Sequence, residues 1–176
     1  MRPLIIIIII TTFFSCSFSQ TTRQAVSIDL SGKQLKSVPD SVFEYKDLIS
    51  LDLSSDIVFY PPLAALLDSN ANQITELPHR LGNLTNLKTL NVSSNRLSEL
   101  PSSFIKLINL ESLDLSFNKE LNAVRELDKL KQLPNLKVIK IANTKFSEAN
   151  VQLIKASLRP EIRVIGTFSE YIEELK

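Results

Sequence analysis

Residues 87–109 read LKTLNVSSNRLSELPSSFIKLIN, and at Leu110 the same pattern begins again. Leu87, Leu90, Val92, Asn95, Leu97, Leu100 and Pro101 fill the slots of LxxLxLxxNxLxxLP. Leu110, Leu113, Leu115 and Asn118 refill the leading slots 23 residues later. Side chains of an extended chain alternate between two faces. LxxLxL therefore predicts a short strand with its leucines turned inward. The Asn slot turns the chain, and Leu-Pro starts its return. A single unit of this kind cannot bury its own apolar face, whereas stacked units bury one another's.

Self-similarity at this period, with seven positions agreeing in spacing and chemistry, resembles the leucine-rich repeat family. The resemblance implies an α/β leucine-rich repeat solenoid. Parallel strands would form its concave face, and its convex side would be irregular or short-helical, with longer helices in the last two repeats. It also implies a structural ladder in which the amides of Asn72, Asn95 and Asn118 bond backbone groups of adjacent coils. Those groups would otherwise be buried and unpaired.

Working outward, the first repeat starts at Ala25 and places Ile28, Leu30, Leu35, Val38 and Pro39 in consensus slots. Lys33 stands in its Asn slot, as suits an end repeat. The second starts at Leu48, breaks register after Ser55 and regains it at Asn72. Excising Asp56–Ala71 restores LISLDLSSNQITELPHRLGNLTN, a complete 23-residue unit, so these sixteen residues are expected to be an insertion. The rival parse ends a separate coil at Leu63 and leaves Ser69 in a core slot. It also makes a coil shorter than the family's usual range of roughly 20–29 residues.

The insertion reads DIVFYPPLAALLDSNA. Pro61-Pro62 bars strand continuation, and Pro62 is expected to open a short helix through Leu67. Three readings stand. It is an apolar binding finger anchored by Phe59, Tyr60 and Leu63; it is an insertion folded against the solenoid; or it is a gene-model error.

Later repeats start at Leu110 and Leu136, and a capping half-repeat starts at Ile162, so the last two full units are 26 residues long. Ala123, Leu127 and Leu130 have helical spacing behind Asn122 as N-cap, and Val151, Ile154 and Leu158 mark a second helix. Ser169 is the expected cap of a last helix bearing Tyr171, Ile172 and Leu175. Thr144 replaces Asn in the fifth unit and supplies only part of its bonding.

Residues 1–19 read as a signal peptide ahead of a repeat domain at 20–176. A positive Met1-Arg2-Pro3 precedes the apolar Leu4–Ile10 and the small residues from Ser15 to Ser19. The apolar stretch from Leu4 to Phe14 is eleven residues, too short to span a bilayer, which takes about twenty. Cleavage before Gln20 would release a secreted chain. Phe14-Ser15-Cys16 also resembles a bacterial lipobox, with Phe13 where Leu is usual. Cleavage before Cys16 would leave a lipid anchor as the one membrane contact. The expected location is secreted or at the cell envelope; the alternative is an intracellular scaffold or regulatory subunit with no export.

Twenty Lys and Arg balance nineteen Asp and Glu, which gives no electrostatic case for nucleic acid. His79 is the lone histidine and Cys16 the lone cysteine. No catalytic triad, metal cluster or phosphate loop can be assembled, so catalysis, metals and cofactors are not expected. Binding of a protein ligand remains. The outward candidates on the concave face are Ser27, Asp29, Ser50, Asp52, Thr89, Asn91, Glu111, Asp114, Lys137 and Lys140. One column, Asp29, Asp52, Asn91, Asp114, Lys140, is acidic and then basic, which suits a partner with basic groups. Small polar residues also simply keep an exposed sheet soluble. No aromatic anchor lies on the regular strands. The resemblance runs from Ala25 to about Ile165 and is nearest to bacterial exported leucine-rich repeat proteins with LPxxL return segments.

Overall fold

The computed structural model describes residues 26–55, 57–60, 64–67, 70–145 and 147–175, without the side chains of 57–60, 64–67 and 148. The expected signal peptide, Cys16, Gln20, Ala25 and Leu63 lie outside these described residues.

Six short strands form one parallel sheet: β1 (Val26–Asp29), β2 (Leu48–Asp52), β5 (Thr89–Asn91), β6 (Ser112–Asp114), β7 (Val138–Lys140) and β8 (Arg163–Ile165). Their central residues align as Ile28, Leu51, Leu90, Leu113, Ile139 and Val164. All six are buried in one core. Pro39, Pro78 and Pro101 each precede a single 3-10 turn on the convex side, at Asp40–Glu44, His79–Asn83 and Ser102–Lys106. Each proline is the extended residue that leads into its turn, a place that suits its fixed φ. Val42, Leu81 and Phe104 point inward from these turns.

The Asn slots bind neighbouring coils together. The Asn95 amide donates to Leu53 O at 2.9 Å and to Val92 O and Ser93 O at 3.2 Å, while its Oδ1 accepts the Ile74 N–H at 2.9 Å. Asn118 repeats the arrangement one coil on, accepting from Leu97 and donating to Val92, Leu115 and Ser116 carbonyls. Asn72 accepts from Lys33 and Leu35 and donates to Leu30, Leu53 and Ser54. Thr144 donates once, to Ile141 O.

β2 pairs directly with β5, although 36 residues separate Asp52 from Thr89. Between them β3 (Ile57–Tyr60) and β4 (Ala64–Leu67) form a separate antiparallel ribbon, with Ile57 opposite Leu67 and Tyr60 opposite Ala64. Residues 64–67 of the helix expected from Pro62 to Leu67 thus form a strand, and Pro62 and Leu63 lie outside the described residues. A six-residue helix is too short to hold itself, whereas a ribbon satisfies backbone groups pairwise.

Among the described residues three α-helices follow: α1 (Leu127–Leu130), α2 (Glu148–Ser157) and α3 (Phe168–Glu174). Asn122 caps the turn that precedes α1, accepting from Val124 and Arg125, and α1 itself starts later than the spacing suggests. Val151 and Ile154 bury the inner face of α2. Thr167, not Ser169, caps α3, because Glu170 three residues on completes a reciprocal capping box.

The last register differs by one residue from the 26-residue spacing. A start at Ile162 sets Ile165 opposite Ile139, but Val164 takes that place and Ile165 pairs with Lys140. Ile162 and Val164 fill the core, which turns Ile165 onto the concave side. There it is covered rather than exposed.

Candidate concave binding surface

Two columns of side chains project from the sheet on either side of the inward row. One reads Ser27, Ser50, Thr89, Ser112, Val138, Arg163; the other Asp29, Asp52, Asn91, Asp114, Lys140, Ile165. Ser27, Asp29 and Thr89 are exposed, and Ser50, Asp52 and Asn91 are half-buried. These six sequence-predicted residues are brought together on the first three strands.

The second column has a local cause. Asp29 Oδ1 accepts the Ser31 N–H, Asp52 Oδ1 that of Ser54, Asn91 Oδ1 that of Ser93 and Asp114 Oδ1 that of Ser116, at 2.8–3.1 Å. Each is an Asx turn that ends its strand. Asp52 Oδ2 also accepts from the Asn91 amide at 3.0 Å. The side chains chosen for charge therefore also terminate strands, and Lys140, which cannot accept, is where the pattern stops.

Glu111 and Lys137 lie at the mouth of the face. Lys137 bonds the Glu111 carboxylate and Lys88 approaches it at 3.4 Å. The Lys137 bond, with help from Lys88, holds the Glu111 carboxyl below its usual range.

Asp114 departs from its expected exposure: it is 9% exposed and lies beneath α3. Phe117, Ala142, Ile165 and Tyr171 form a second apolar cluster, against which Val138 packs. The Phe117 ring meets Tyr171 edge-on at 5.1 Å and Phe168 at 6.2 Å, and Lys140 Nζ lies 5.4 Å over the Tyr171 ring. Burial raises the Asp114 carboxyl, against the pull of Ser116 and Lys140. Burial and the Asp114 carboxylate likewise push the Tyr171 hydroxyl well above its usual value, with Ser93 acting the other way. Sequence reasoning missed this cluster because its aromatics come from a turn and a terminal helix, not from strands. The available signal was Phe117 in the slot before Asn118, where Ser94 and Asn143 stand in neighbouring coils.

His79 lines a shallow convex groove with Arg80, Asn83, Ser102, Ser103 and Lys106, without a carboxylate among them. The carboxylate partner of a Ser-His-Asp arrangement is not in that lining. Among the described residues no three His, Cys, Asp or Glu side chains converge as metal ligands.

A stacked row of parallel strands, short convex turns and asparagines bridging successive coils define a repeat solenoid. The family model described as a leucine-rich repeat region matches residues 65–159. The chain belongs to the leucine-rich repeat family, whose domains are typically non-enzymatic scaffolds that bind proteins. Among solved structures it is similar to a leucine-rich repeat protein of Leptospira interrogans, at 20% identity and a TM-score of 0.37. That match covers 78% of this chain and 48% of the other, so the chain spans about half that protein's length. No curated protein matches it.

Proposed function

We propose that this chain is a non-enzymatic protein-binding module that uses the open part of its concave face, over β1, β2 and β5. The observation that carries this reading is a sheet face left uncovered at Ser27, Asp29 and Thr89 beside a face of the same sheet that is covered. Small side chains there let a partner approach the sheet closely, and Asp29 and Asp52 add negative charge that suits basic groups.

Export, with release or lipid tethering at the envelope, is part of the proposal. Its support is the charge, apolar length and small-residue order of residues 1–19. Intact mass and amino-terminal sequencing of the natively expressed protein test it: an uncleaved Met1 would remove export.

A photo-crosslinking residue tests the binding surface. Placed at Thr89, it is expected to yield a discrete protein adduct in the native host; placed at the convex, exposed Lys106, it is not. Adducts from Lys106 alone would overturn the concave reading.

A further inference from the structure

We propose that the convex groove between the turns His79–Asn83 and Ser102–Lys106 is a second ligand site, separate from the concave face. Its ligand is a phosphate monoester, borne by a soluble small molecule or by a lipid headgroup. The groove measures about 470 Å³, and its lining offers hydrogen-bond donors from both turns and no carboxylate.

The spacing of its walls is fixed by the backbone. Four residues after each proline stand Phe43 in the first convex turn and Ile105 in the third, but Gly82 in the second. A Cβ on Gly82 would sit 2.4 Å from the Ser103 carbonyl oxygen, so the missing side chain lets the two turns touch. Direct contact of the turns, rather than a side chain wedged between them, therefore sets how far apart the donors stand. His79 and Asn83 lie on one wall, and Ser102 and Lys106 on the other.

The chemistry of these four is one-sided. Lys106 carries three N–H donors and no acceptor, the Asn83 amide two donors, the Ser102 hydroxyl one and the His79 ring at least one. None of the four makes a side-chain hydrogen bond or ion pair among the described residues. Arg80 also lines the groove but is engaged elsewhere. Its guanidinium bonds Asp40 at 2.7 Å and lies 4.9 Å over the Phe43 ring, both in the preceding turn. Lys106 is thus the uncommitted cation of the lining.

A tetrahedral oxyanion matches this set better than a carboxylate does. Its oxygens point in several directions and can take donors from both walls at once, with the lysine bond of the charge-assisted, stronger class. The two oxygens of a carboxylate lie in one plane and would serve one wall. Because the groove is shallow and open on one side, the group that bears the phosphate can extend into solvent.

Titration of the full chain with glycerol phosphate at constant ionic strength, followed by amide chemical shifts, tests the site. Saturable shifts centred on residues 79–83 and 102–106 are expected. Lys106→Met keeps the aliphatic stem of an exposed residue, removes its charge and should weaken binding about tenfold or more. Lys131→Met, at an exposed lysine outside the groove, should leave binding unchanged. Vesicles of phosphatidylcholine with and without phosphatidic acid separate the two carriers. Co-sedimentation that needs phosphatidic acid and is lost in Lys106→Met assigns a lipid. Saturation by glycerol phosphate without co-sedimentation assigns a soluble ester. Shifts spread evenly over the exposed lysines, equal binding by Lys106→Met and the natural chain, or no response to either probe overturns the proposal.

Discussion

Asn95→Ala and Asn118→Ala delete the same side chain in consecutive coils, yet the structure gives them different consequences. Asn95 contacts four backbone groups, but three keep another donor when it is gone. Leu53 O still accepts from Asn72, Val92 O from Asn118 and Ser93 O from the Ser55 N–H. The Ile74 N–H is the group left without a partner among the described residues. Asn118 leaves two, the Leu97 N–H and the Leu115 carbonyl. Its other acceptors keep a donor, Val92 O from Asn95 and Ser116 O from the Ser94 N–H. A buried unsatisfied group costs about 1–3 kcal/mol. Asn95→Ala should therefore lose about 1–3 kcal/mol and Asn118→Ala about 2–6 kcal/mol. Urea unfolding followed by far-UV circular dichroism, with m values compared, measures both. If Asn118→Ala were no more destabilising than Asn95→Ala, counting orphaned backbone groups would be the wrong way to weigh the ladder.

Gly82→Ala should destabilise by about 1–3 kcal/mol, as an overpacked position does. A Cβ there would sit 2.4 Å from the Ser103 carbonyl oxygen in the next convex turn, and a thermal melt reads the loss. Deletion of residues 56–71 should leave a cooperative melt near the natural midpoint, since β2 already pairs with β5 without the ribbon; a molten or aggregated product would show that the ribbon holds the coil. Docking of α3 should fail in acid. Burial works to raise Glu170, but Lys155 and the N–H groups of Gly166 and Thr167 outweigh it and hold the carboxyl down at about 2, from a usual 4.5. A depressed carboxyl stabilises above 4.5 and loses that contribution as pH falls toward 2, so the protection of 168–174 relative to the intrinsic exchange rate at each pH should fall across this window, and this fall should be absent in Glu170→Gln. Asp114 has the opposite sign. Its raised carboxyl favours the docked state as it takes up a proton, so Asp114→Asn should hold α3 at least as firmly at neutral pH.

The coil fold was legible because its signal is repeated. Each inward slot from Ile28 to Ile139 is filled by an aliphatic residue at a spacing that only a short strand followed by a turn satisfies, and an error in one coil is corrected by the next. The ribbon had no such help. IVFYPPLAALL is apolar without a period, and a run of that kind does not distinguish strand from helix. The 3-10 turns after Pro39, Pro78 and Pro101 follow from proline's fixed φ, but the delayed start of α1 does not, because it depends on Asn122 forming a turn first.

The binding face was harder to read for a different reason: one residue type served two ends. Asp29-Leu30-Ser31, Asp52-Leu53-Ser54, Asn91-Val92-Ser93 and Asp114-Leu115-Ser116 share an Asx-x-Ser order in which the carboxylate or amide ends its own strand. Weighed as charge, the column points to a basic partner. Weighed as local hydrogen bonding, four of its members are required by the turns whether or not a partner exists. Lys140-Ile141-Ala142 is the coil in which the order fails, and there the face changes character. The lysine reaches over the Tyr171 ring, Ala142 leaves room for the aromatic cluster, and Ile165 is turned out to meet it. A break in a structural pattern that local geometry does not demand is thus the better guide to where this solenoid accepts a helix. The pattern's regular members mark how the coil is made.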